Sequence, residues 1–201
     1  KKIEDAGADS LAIKDMAGLL RPFDAYELVK NLKSTLSIPI HMQTHATTGM
    51  SAATNMKAIE AGIDNIDTSI SSLSMTYGHT ATETMLAIFE NQEREINLDL
   101  SALEEVSIFF KEIRDKYSEF EGNLKGVDSS MLVKQVPGGM LSNLESQLRA
   151  NKQEDKIDLV KDEIPQVRKD FGYPPLVTPA SQIVGAQALL NIMSSRRYEN
   201  L

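Results

Sequence analysis

The sequence contains no cysteine among its 201 residues. A disulfide framework and a thiolate metal site are both excluded, so any metal must be held by nitrogen and oxygen ligands. The absence of cysteine also fits a protein of the reducing cytoplasm, which is the location that we expect.

A basic surface is missing as well. The formal net charge is −8, with 21 Lys and Arg against 29 Asp and Glu. No cluster of Lys and Arg stands out along the chain. Because nucleic-acid phosphates are bound by clustered positive side chains, this composition argues against a nucleic-acid-binding protein.

Long apolar runs and a recognisable start are also absent. No run of roughly 18 apolar residues occurs, so we expect no transmembrane segment. The first residues, 1–5, form neither a signal peptide nor an initiator methionine, and we expect the chain to be part of something longer. An apolar content of 41% is ordinary for a globular protein that buries a core.

One short signal occurs twice in the first third of the chain. Residues 6–11 and 61–66 each begin with Ala-Gly, continue with Asp and end on an apolar residue. This order is typical of a helix that ends on Gly and is followed by a strand. A further apolar segment begins at Ile38. Strand starts at Leu11, Ile38 and Asn65 recur about every 27 residues, which is the period of a βα unit. We predict adjacent parallel strands over 11–15, 38–45 and 66–70, with their carboxyl ends together.

The segments between these strands predict helices. One begins at Arg21 and Pro22, because proline favours the first helical turn. The next is predicted over 48–61, with an apolar inward face. That inward face is formed by Ala52, Met56 and Ile59.

Three βα units do not close a parallel sheet, and two architectures fit them. The units are either the last part of a (β/α)8 TIM barrel with five more units upstream, or an open sheet whose edge strands need cover. We favour the barrel. The α/β fold class is therefore predicted as barrel units over 1–95, followed by a helical C-terminal extension over 96–201.

The extension has the pattern of successive helices. Thr80 and Glu83 are spaced as a capping box ahead of one helix, and Asp99 or Ser101 is predicted to cap the next. The apolar stripes of these two helices are expected to lie in the core.

Charged residues and prolines predict the helices at the end of the chain. Residues 152–169 are densely charged and are interrupted by Pro165, which predicts a pair of solvated helices. Pro179 is predicted to lie in the first turn of the last helix.

Residues 38–49 are predicted to form a buried strand that ends in polar side chains. Alternation along a strand places His41, Gln43 and His45 on one face. Sites in parallel α/β proteins form at the carboxyl ends of strands, so three potential ligands converge here. The alternative is a buried strand whose histidines are satisfied by neighbours, and this stretch alone does not decide between the two.

Four segments occur in one order along the chain: 13–20, 38–49, 137–144 and 177–182. Together they resemble the biotin-dependent carboxyltransferase family, which includes pyruvate carboxylase, the α subunit of oxaloacetate decarboxylase and the central subunit of transcarboxylase. Gln182 and residues 140–142 resemble the last two more closely, because pyruvate carboxylases usually carry lysine and Gln-Tyr-Thr there. The resemblance covers essentially the whole chain and implies a (β/α)8 barrel followed by a helical funnel.

The resemblance implies a divalent metal, zinc, cobalt or manganese, held by an aspartate, a carbamylated lysine and two histidines. Lys14 matches the lysine, whose neutral amine takes up CO2 to give a metal-binding carboxylate. His45 matches the second histidine. The first falls on Gln43 rather than on His41, and a glutamine carbonyl is a poorer ligand than imidazole for zinc or cobalt. The aspartate belongs to an early strand that this sequence lacks.

The resemblance also assigns residues near the C-terminus. Thr178 matches a threonine that carries a proton between the methyl carbon of pyruvate and the biotin ring nitrogen, which a hydroxyl does without ionising. Ser181 matches a residue that holds the biotin ureido oxygen, and Gln182 assists in place of lysine. Judged from the residues alone, Thr178 can equally be a helix cap.

The resemblance therefore implies an enzyme, a carboxyltransferase or oxaloacetate decarboxylase, that moves a carboxyl group between carboxybiotin and pyruvate or oxaloacetate. It implies a homodimer and an activity that is incomplete in this stretch. Biotin is expected on a separate carrier domain, because no Ala-Met-Lys-Met acceptor occurs here. Two alternatives stay open: a metal-dependent Claisen-type acyltransferase like isopropylmalate synthase, and a binding or assembly fragment without activity.

Overall fold

A computed structural model describes residues 1–92 and 96–200 of the chain. Three strands form one parallel sheet in the order β1-β2-β3. These strands are β1 (Leu11–Asp15), β2 (Ile40–Thr44) and β3 (Asn65–Ile66). The prediction of three adjacent parallel strands with their carboxyl ends together is confirmed.

Helices connect the strands and build the rest of the chain. Helix α1 (Lys2–Asp5) precedes the sheet, α2 (Pro22–Thr35) connects β1 to β2, and α3 (Ser51–Glu60) connects β2 to β3. The helices that follow the sheet are α4 (Thr82–Phe89), α5 (Leu100–Lys116), α6 (Met131–Lys134), α7 (Gly138–Ala150), α8 (Ile157–Asp170) and α9 (Ala180–Met193).

The two copies of the Ala-Gly signal end their helices in the same way. Gly7 follows α1 with φ of 90°, and Gly62 follows α3 with φ of 96°. A left-handed residue just past a helix end favours glycine, because other side chains are strained there. The predicted helix stops are confirmed.

Two strands differ from their predicted bounds. Strand β2 begins at Ile40 rather than Ile38, because Pro39 has no N–H to give to a ladder. Strand β3 ends at Ile66, because the chain beyond it turns to a new partner: the amide of Ser69 donates to the carbonyl of Thr80 at 3.0 Å. The strand predicted to run on to residue 70 is therefore shorter than expected.

One face of the sheet is covered by α2 and α3. Ile40 and Met42 of β2 are fully buried against Val29 of α2 and Ala58 of α3. Burying a Val, Ile or Met side chain contributes roughly 1.5–3 kcal/mol. The helices thus hold one face of the sheet and leave the opposite face for other groups.

The inward face of α3 is more polar than the sequence predicted. Ala52 and Met56 are only half-buried, so their assignment to the inward face was wrong. Ile59 is also half-buried but packs against the core that covers the sheet, as predicted. The hydroxyl of Thr54 donates to the carbonyl of Leu20 at 2.8 Å, and this bond holds a polar side chain inward. The residues of α3 that are buried are Ser51, Thr54, Asn55 and Ala58.

The two predicted helix caps have different outcomes. The carboxylate of Asp99 accepts from the amides of Ser101 and Ala102, which confirms Asp99 as the cap of α5. The capping box was wrong. The hydroxyl of Thr80 lies 2.7 Å from that of Ser51, and the carboxylate of Glu83 accepts from the amide of Ser71. Thr80 thus ties the loop before α4 to α3, and Glu83 ties α4 back to residue 71.

Helices α6 to α9 pack around a second core. Its fully buried members include Leu141 and Ile164. Pro165 lies inside α8 and is exposed, and the helix continues through it. A proline on the solvent side costs one hydrogen bond but leaves the freed carbonyl accessible to water. The predicted pair of solvated helices was therefore wrong, because 157–170 is one helix with a buried face.

Helix α5 packs less deeply than its apolar stripe predicted. Every residue of α5 is described, and none of them is buried. Of the predicted stripe, Val106 is 42% exposed and Tyr117, at the end of the helix, is 51% exposed. The expectation that this stripe lies in the core was wrong for the chain as it stands.

The helical part of the chain, residues 96–200, docks on the loops that follow β2 and β3. The amide of Asp128 donates to the carbonyl of Thr47 at 2.8 Å. The guanidinium of Arg114 donates to the carbonyl of Ser72 at 2.7 Å. The predicted boundary after residue 95 lies outside the described residues. Among the helices that the structure describes, none is long and apolar enough to span a bilayer.

Candidate functional site

Two predicted ligands share the sheet face that the helices leave open. His41 and Gln43 alternate with the buried residues of β2 and are half-buried, and Ala12 and Lys14 of β1 are exposed. In the register of the two strands, Lys14 is the Cα partner of Gln43. Because register partners in parallel strands direct their side chains to the same face, Lys14 and Gln43 lie side by side.

His41 is engaged away from the strand end. Its Nε2 lies 2.6 Å from a carboxylate oxygen of Asp67, which follows β3. His41 lies on the same face of the sheet as Gln43 and two residues further from the carboxyl end of β2. His41 is therefore held as a partner of Asp67, and the strand end is left to Gln43 and His45.

His45 lies directly after β2 and is buried, with 9% of its surface exposed. Its Nδ1 lies 2.5 Å from the backbone carbonyl of Tyr77. A carbonyl only accepts, so the proton is on Nδ1 and the lone pair is on Nε2. Burial lowers the pKa of His45 below its ordinary value, although the Tyr77 carbonyl opposes this. The imidazole is thus kept neutral, as a metal ligand must be.

Two buried polar atoms at this strand end have no hydrogen-bond partner among the described residues. They are Nε2 of His45 and Oε1 of Gln43. An orphaned buried acceptor costs about 1–3 kcal/mol, so such atoms call for an explanation. Both atoms are neutral and have a lone pair that can coordinate a divalent cation, and Lys14 lies beside Gln43. These residues therefore fit a metal, although no group of three His, Asp or Glu able to hold one occurs in 1–92 and 96–200.

Asp15 organises the loop beside these residues without being available as a ligand. Its two carboxylate oxygens accept from the amides of Leu19 and Leu20, each at 2.9 Å. One of them also accepts from the hydroxyl of Thr44 at 2.8 Å. Asp15 therefore fixes the turn after β1 against the end of β2.

Sequence reasoning missed His79 and Tyr77. The ring centroid of His79 lies 4.7 Å from that of His45, and its Nδ1 donates to the carbonyl of Thr44 at 3.1 Å. The chain has only three histidines. Considering each of them as a possible ligand would have drawn attention to His79. Tyr77 acts through its backbone carbonyl, which leaves no signal in the sequence.

The predicted residues near the C-terminus share one cavity. Thr178, Ser181 and Gln182 line a cavity of about 180 Å³ at the start of α9, and Met16 forms part of its wall. Ser181 is buried, whereas Thr178 and Gln182 are exposed. The cavity is also lined by Asn143 of α7.

Met16 connects this cavity to the strand end. It follows Asp15, the last residue of β1, and lies two residues beyond Lys14. Two residues of chain span at most about 7 Å. The structure therefore brings Thr178 close to the Lys14 end of β1, although more than a hundred residues separate them in the sequence.

Two family descriptions match this chain. The HMGL-like family matches residues 1–109, which contain the sheet and the strand-end residues. The conserved carboxylase domain matches residues 131–201, which contain Thr178 and its cavity.

Two curated proteins are similar over nearly all of the chain. A pyruvate carboxylase subunit of Methanocaldococcus jannaschii is 48% identical over 200 residues, which are 99% of this chain and 35% of that protein. The methylmalonyl-CoA carboxyltransferase 5S subunit of Propionibacterium freudenreichii subsp. shermanii is 51% identical over 191 residues, which are 94% of this chain and 38% of that protein. The chain thus spans little more than a third of these relatives.

A solved structure has the same fold. The carboxyl transferase domain from Rhizobium etli pyruvate carboxylase with pyruvate and biocytin superposes with a TM-score of 0.92 and 34% sequence identity. The match covers 98% of this chain and 33% of that one. The α/β fold of this chain is therefore similar to that of a carboxyl transferase domain of the TIM-barrel type.

Proposed function

This chain belongs to the biotin-dependent carboxyltransferase family, and we propose that it forms the part of such an enzyme where a carboxyl group passes between carboxybiotin and pyruvate or oxaloacetate. The observation that carries this proposal is the closeness of two sites. The orphaned strand-end atoms of Gln43 and His45 adjoin Lys14, and the cavity of Thr178 begins two residues beyond that lysine.

We also propose how the chain fits the larger enzyme. The β1-β2-β3 sheet is the last part of a (β/α)8 barrel, and α5 to α9 form the helical funnel that follows it. The open face of the sheet, with Ala12 and Lys14 exposed, supports this arrangement because a closed barrel covers such a face with its other strands. The division into 1–95 and 96–201 stays a prediction.

The strand-end residues are proposed to hold a divalent metal. His45 would offer Nε2 and Gln43 would offer its amide oxygen, both of which lack a partner among the described residues. Lys14 would add a carboxylate once CO2 has reacted with its amine. When bound, zinc, cobalt or manganese supplies a positive charge that stabilises an enolate at a nearby keto acid.

The cavity residues are proposed to handle the proton and the biotin ring. Thr178 is exposed and lines the cavity, and its hydroxyl can accept a proton from one partner and donate one to another. Ser181 and Gln182 lie on the first turn of α9 and would hold the ureido oxygen of biotin. All three line the same cavity, so one bound ring could contact all of them.

The proposed partner is a separate carrier domain that bears biotin. The Rhizobium etli structure holds biocytin, a biotin-lysine conjugate, and this supports a biotin site in the same fold. The homodimer and the cytoplasmic location stay predictions.

The proposal is tested by assaying oxaloacetate decarboxylation with free biotin, together with the metal content of the purified product of the full gene. We expect biotin-stimulated release of pyruvate and bound divalent metal. A Claisen-type acyltransferase would instead release CoA from acetyl-CoA and a keto acid, with no response to biotin. Bound metal without either reaction would favour a binding fragment. Either of these two outcomes, the acyltransferase reaction or no reaction at all, would overturn the proposal.

A further inference from the structure

Tyr77 lies between the proposed metal ligand His45 and the helical part of the chain. Its backbone carbonyl accepts the Nδ1 proton of His45 at 2.5 Å. The residue belongs to a tight loop, in which the amide of Gly78 donates to the carbonyl of Met75 at 2.7 Å. The position of this carbonyl therefore depends on how the loop is held.

The Tyr77 ring is held between two glycines of the helical part. A Cβ placed on Gly122 would lie 2.6 Å from Cε2 of the ring, and one on Gly138 would lie 2.6 Å from its Cδ1. Real Cβ atoms do not approach so closely, so both positions need glycine for the ring to stay where it is. Neither glycine has a positive φ, so close packing rather than backbone conformation explains them.

The Tyr77 hydroxyl is anchored to the same helical part. It donates to Oε1 of Glu145 on α7 at 3.2 Å, and Oε2 of Glu145 accepts from the amide of Asn123 at 3.0 Å. Glu145 is 8% exposed. A buried carboxylate with two donors is fixed in place, and it fixes the tyrosine in turn.

We propose that Tyr77 is a positioning residue, which transmits the docking of the helical part to the orientation and tautomer of the His45 imidazole. The ring is clamped by Gly122 and Gly138, the clamped ring fixes the Tyr77 carbonyl, and the carbonyl fixes Nδ1–H. Nε2 then points to one place with its lone pair free. The consequence for metal binding rests on the proposed function, but the orientation of the ring does not.

The first test compares two alanine variants in one loop of the metal-free full-length protein. Gly122→Ala displaces the ring, whereas a Cβ on Gly126 meets no described atom within 4 Å. With 15N-labelled histidine, NMR of the wild type and of Gly126→Ala should show His45 with a protonated Nδ1 and an unprotonated Nε2. In Gly122→Ala the two nitrogens should average between tautomers. Unchanged His45 signals in a folded Gly122→Ala protein would overturn the proposal.

The second test replaces Tyr77 itself and does not depend on whether Gly122→Ala folds. Tyr77→Phe retains the clamped ring, and Tyr77→Ala removes it while the carbonyl remains. We expect Tyr77→Ala to weaken divalent metal binding by about 10–100-fold and Tyr77→Phe to recover most of the loss. Equal affinities at temperatures where both variants are folded would mean that the tyrosine is only structural. A fixed tautomer with no metal binding in the wild type would instead contradict the proposed function and leave the positioning role intact.

Discussion

Lys14 and Gln43 are register partners on neighbouring parallel strands. Their side chains therefore emerge side by side at the end where His45 leaves the sheet. Gln43 has an orphaned buried oxygen, so its environment is that of a ligand rather than of a surface amide. Replacing the proposed metal-coordinating atom at position 43 should therefore change the affinity for a metal held beside Lys14.

Replacing Gln43 by histidine should strengthen metal binding. Imidazole is a better ligand than an amide oxygen for zinc or cobalt, and losing even an outer partner of a ligand typically costs 10–100-fold in affinity. We expect Gln43→His to raise the affinity for Co²⁺ by at least about tenfold, measured by competition with a chromophoric chelator.

His41 provides the matched control on the same strand and face. Its ring is paired with Asp67, so His41→Gln should leave the Co²⁺ affinity unchanged within about twofold. If His41→Gln abolishes binding while Gln43→His gains nothing, then His41 rather than Gln43 is the ligand on this strand.

Metal binding should also depend on CO2 through Lys14. A lysine amine adds CO2 to become a carboxylate, whereas an arginine guanidinium stays charged and does not. We expect added bicarbonate to raise the metal affinity of the wild type and to have no effect on Lys14→Arg, as measured by calorimetric titration in degassed and in bicarbonate-saturated buffer. A wild type that ignores bicarbonate would remove the carbamate from the site.

Gly18 should be irreplaceable because of its closeness to His45. It has φ of 66°, and a Cβ there would overlap the carbonyl oxygen of His45. Gly62 has a similar φ of 96°, but a Cβ there meets no described atom within 4 Å. We expect Gly62→Ala to lower the free energy of unfolding by about 1 kcal/mol, and Gly18→Ala to lower it by about 1–3 kcal/mol more. Equal losses in chemical denaturation would show that the overlap is relieved at no cost.

The sequence was sufficient for the sheet because its evidence is local and periodic. Gly7 and Gly62 mark two helix ends, and the apolar runs after them have the length of strands. Contacts between residues that are distant in the sequence could not be predicted from such local patterns. The Thr80 and Glu83 pattern failed because Ser51 and Ser71, distant in sequence, compete for those side chains.

The candidate site shows the same division. Gln43 and His45 were predicted from a strand end and from the family resemblance, and Lys14 from the resemblance alone. Both signals depend on residue types. The role of Tyr77 was not predictable, because any residue supplies a backbone carbonyl and only the fold places this one against Nδ1 of His45. The failed prediction of a solvated helix pair at Pro165 also has a tertiary cause, since the buried face of α8 outweighs one lost hydrogen bond.

Stability should fall at mildly acidic pH because of His45. Burial lowers its pKa below the ordinary value of 6.5 in the folded protein, so the unfolded chain binds more protons below that pH. The contribution is fully present above about pH 6.5 and is lost as the pH falls towards the folded pKa. Denaturation of the chelator-treated protein at about pH 8 and pH 5.5 should show a smaller loss for His45→Gln than for the wild type. Identical losses would show that other groups are responsible.

Thr178 should be needed for carboxyl transfer but not for metal binding. Its cavity adjoins Met16, beyond the end of β1, and contains none of the strand-end donors Lys14, Gln43 and His45. In the full-length enzyme, Thr178→Ala should lower biotin-dependent turnover by about 10²–10⁴-fold, the usual contribution of a positioned proton carrier. Metal content should stay at the wild-type level.

Thr178→Ser separates the chemical role from a structural one. Serine keeps the hydroxyl that donates and accepts, so Thr178→Ser should retain most of the activity that Thr178→Ala loses. If Thr178 only shapes the start of α9, the two variants should instead share a lowered melting temperature and similar turnover. Normal turnover in Thr178→Ala would remove this hydroxyl from the mechanism, and the proton would then have to pass through another group that lines the same cavity.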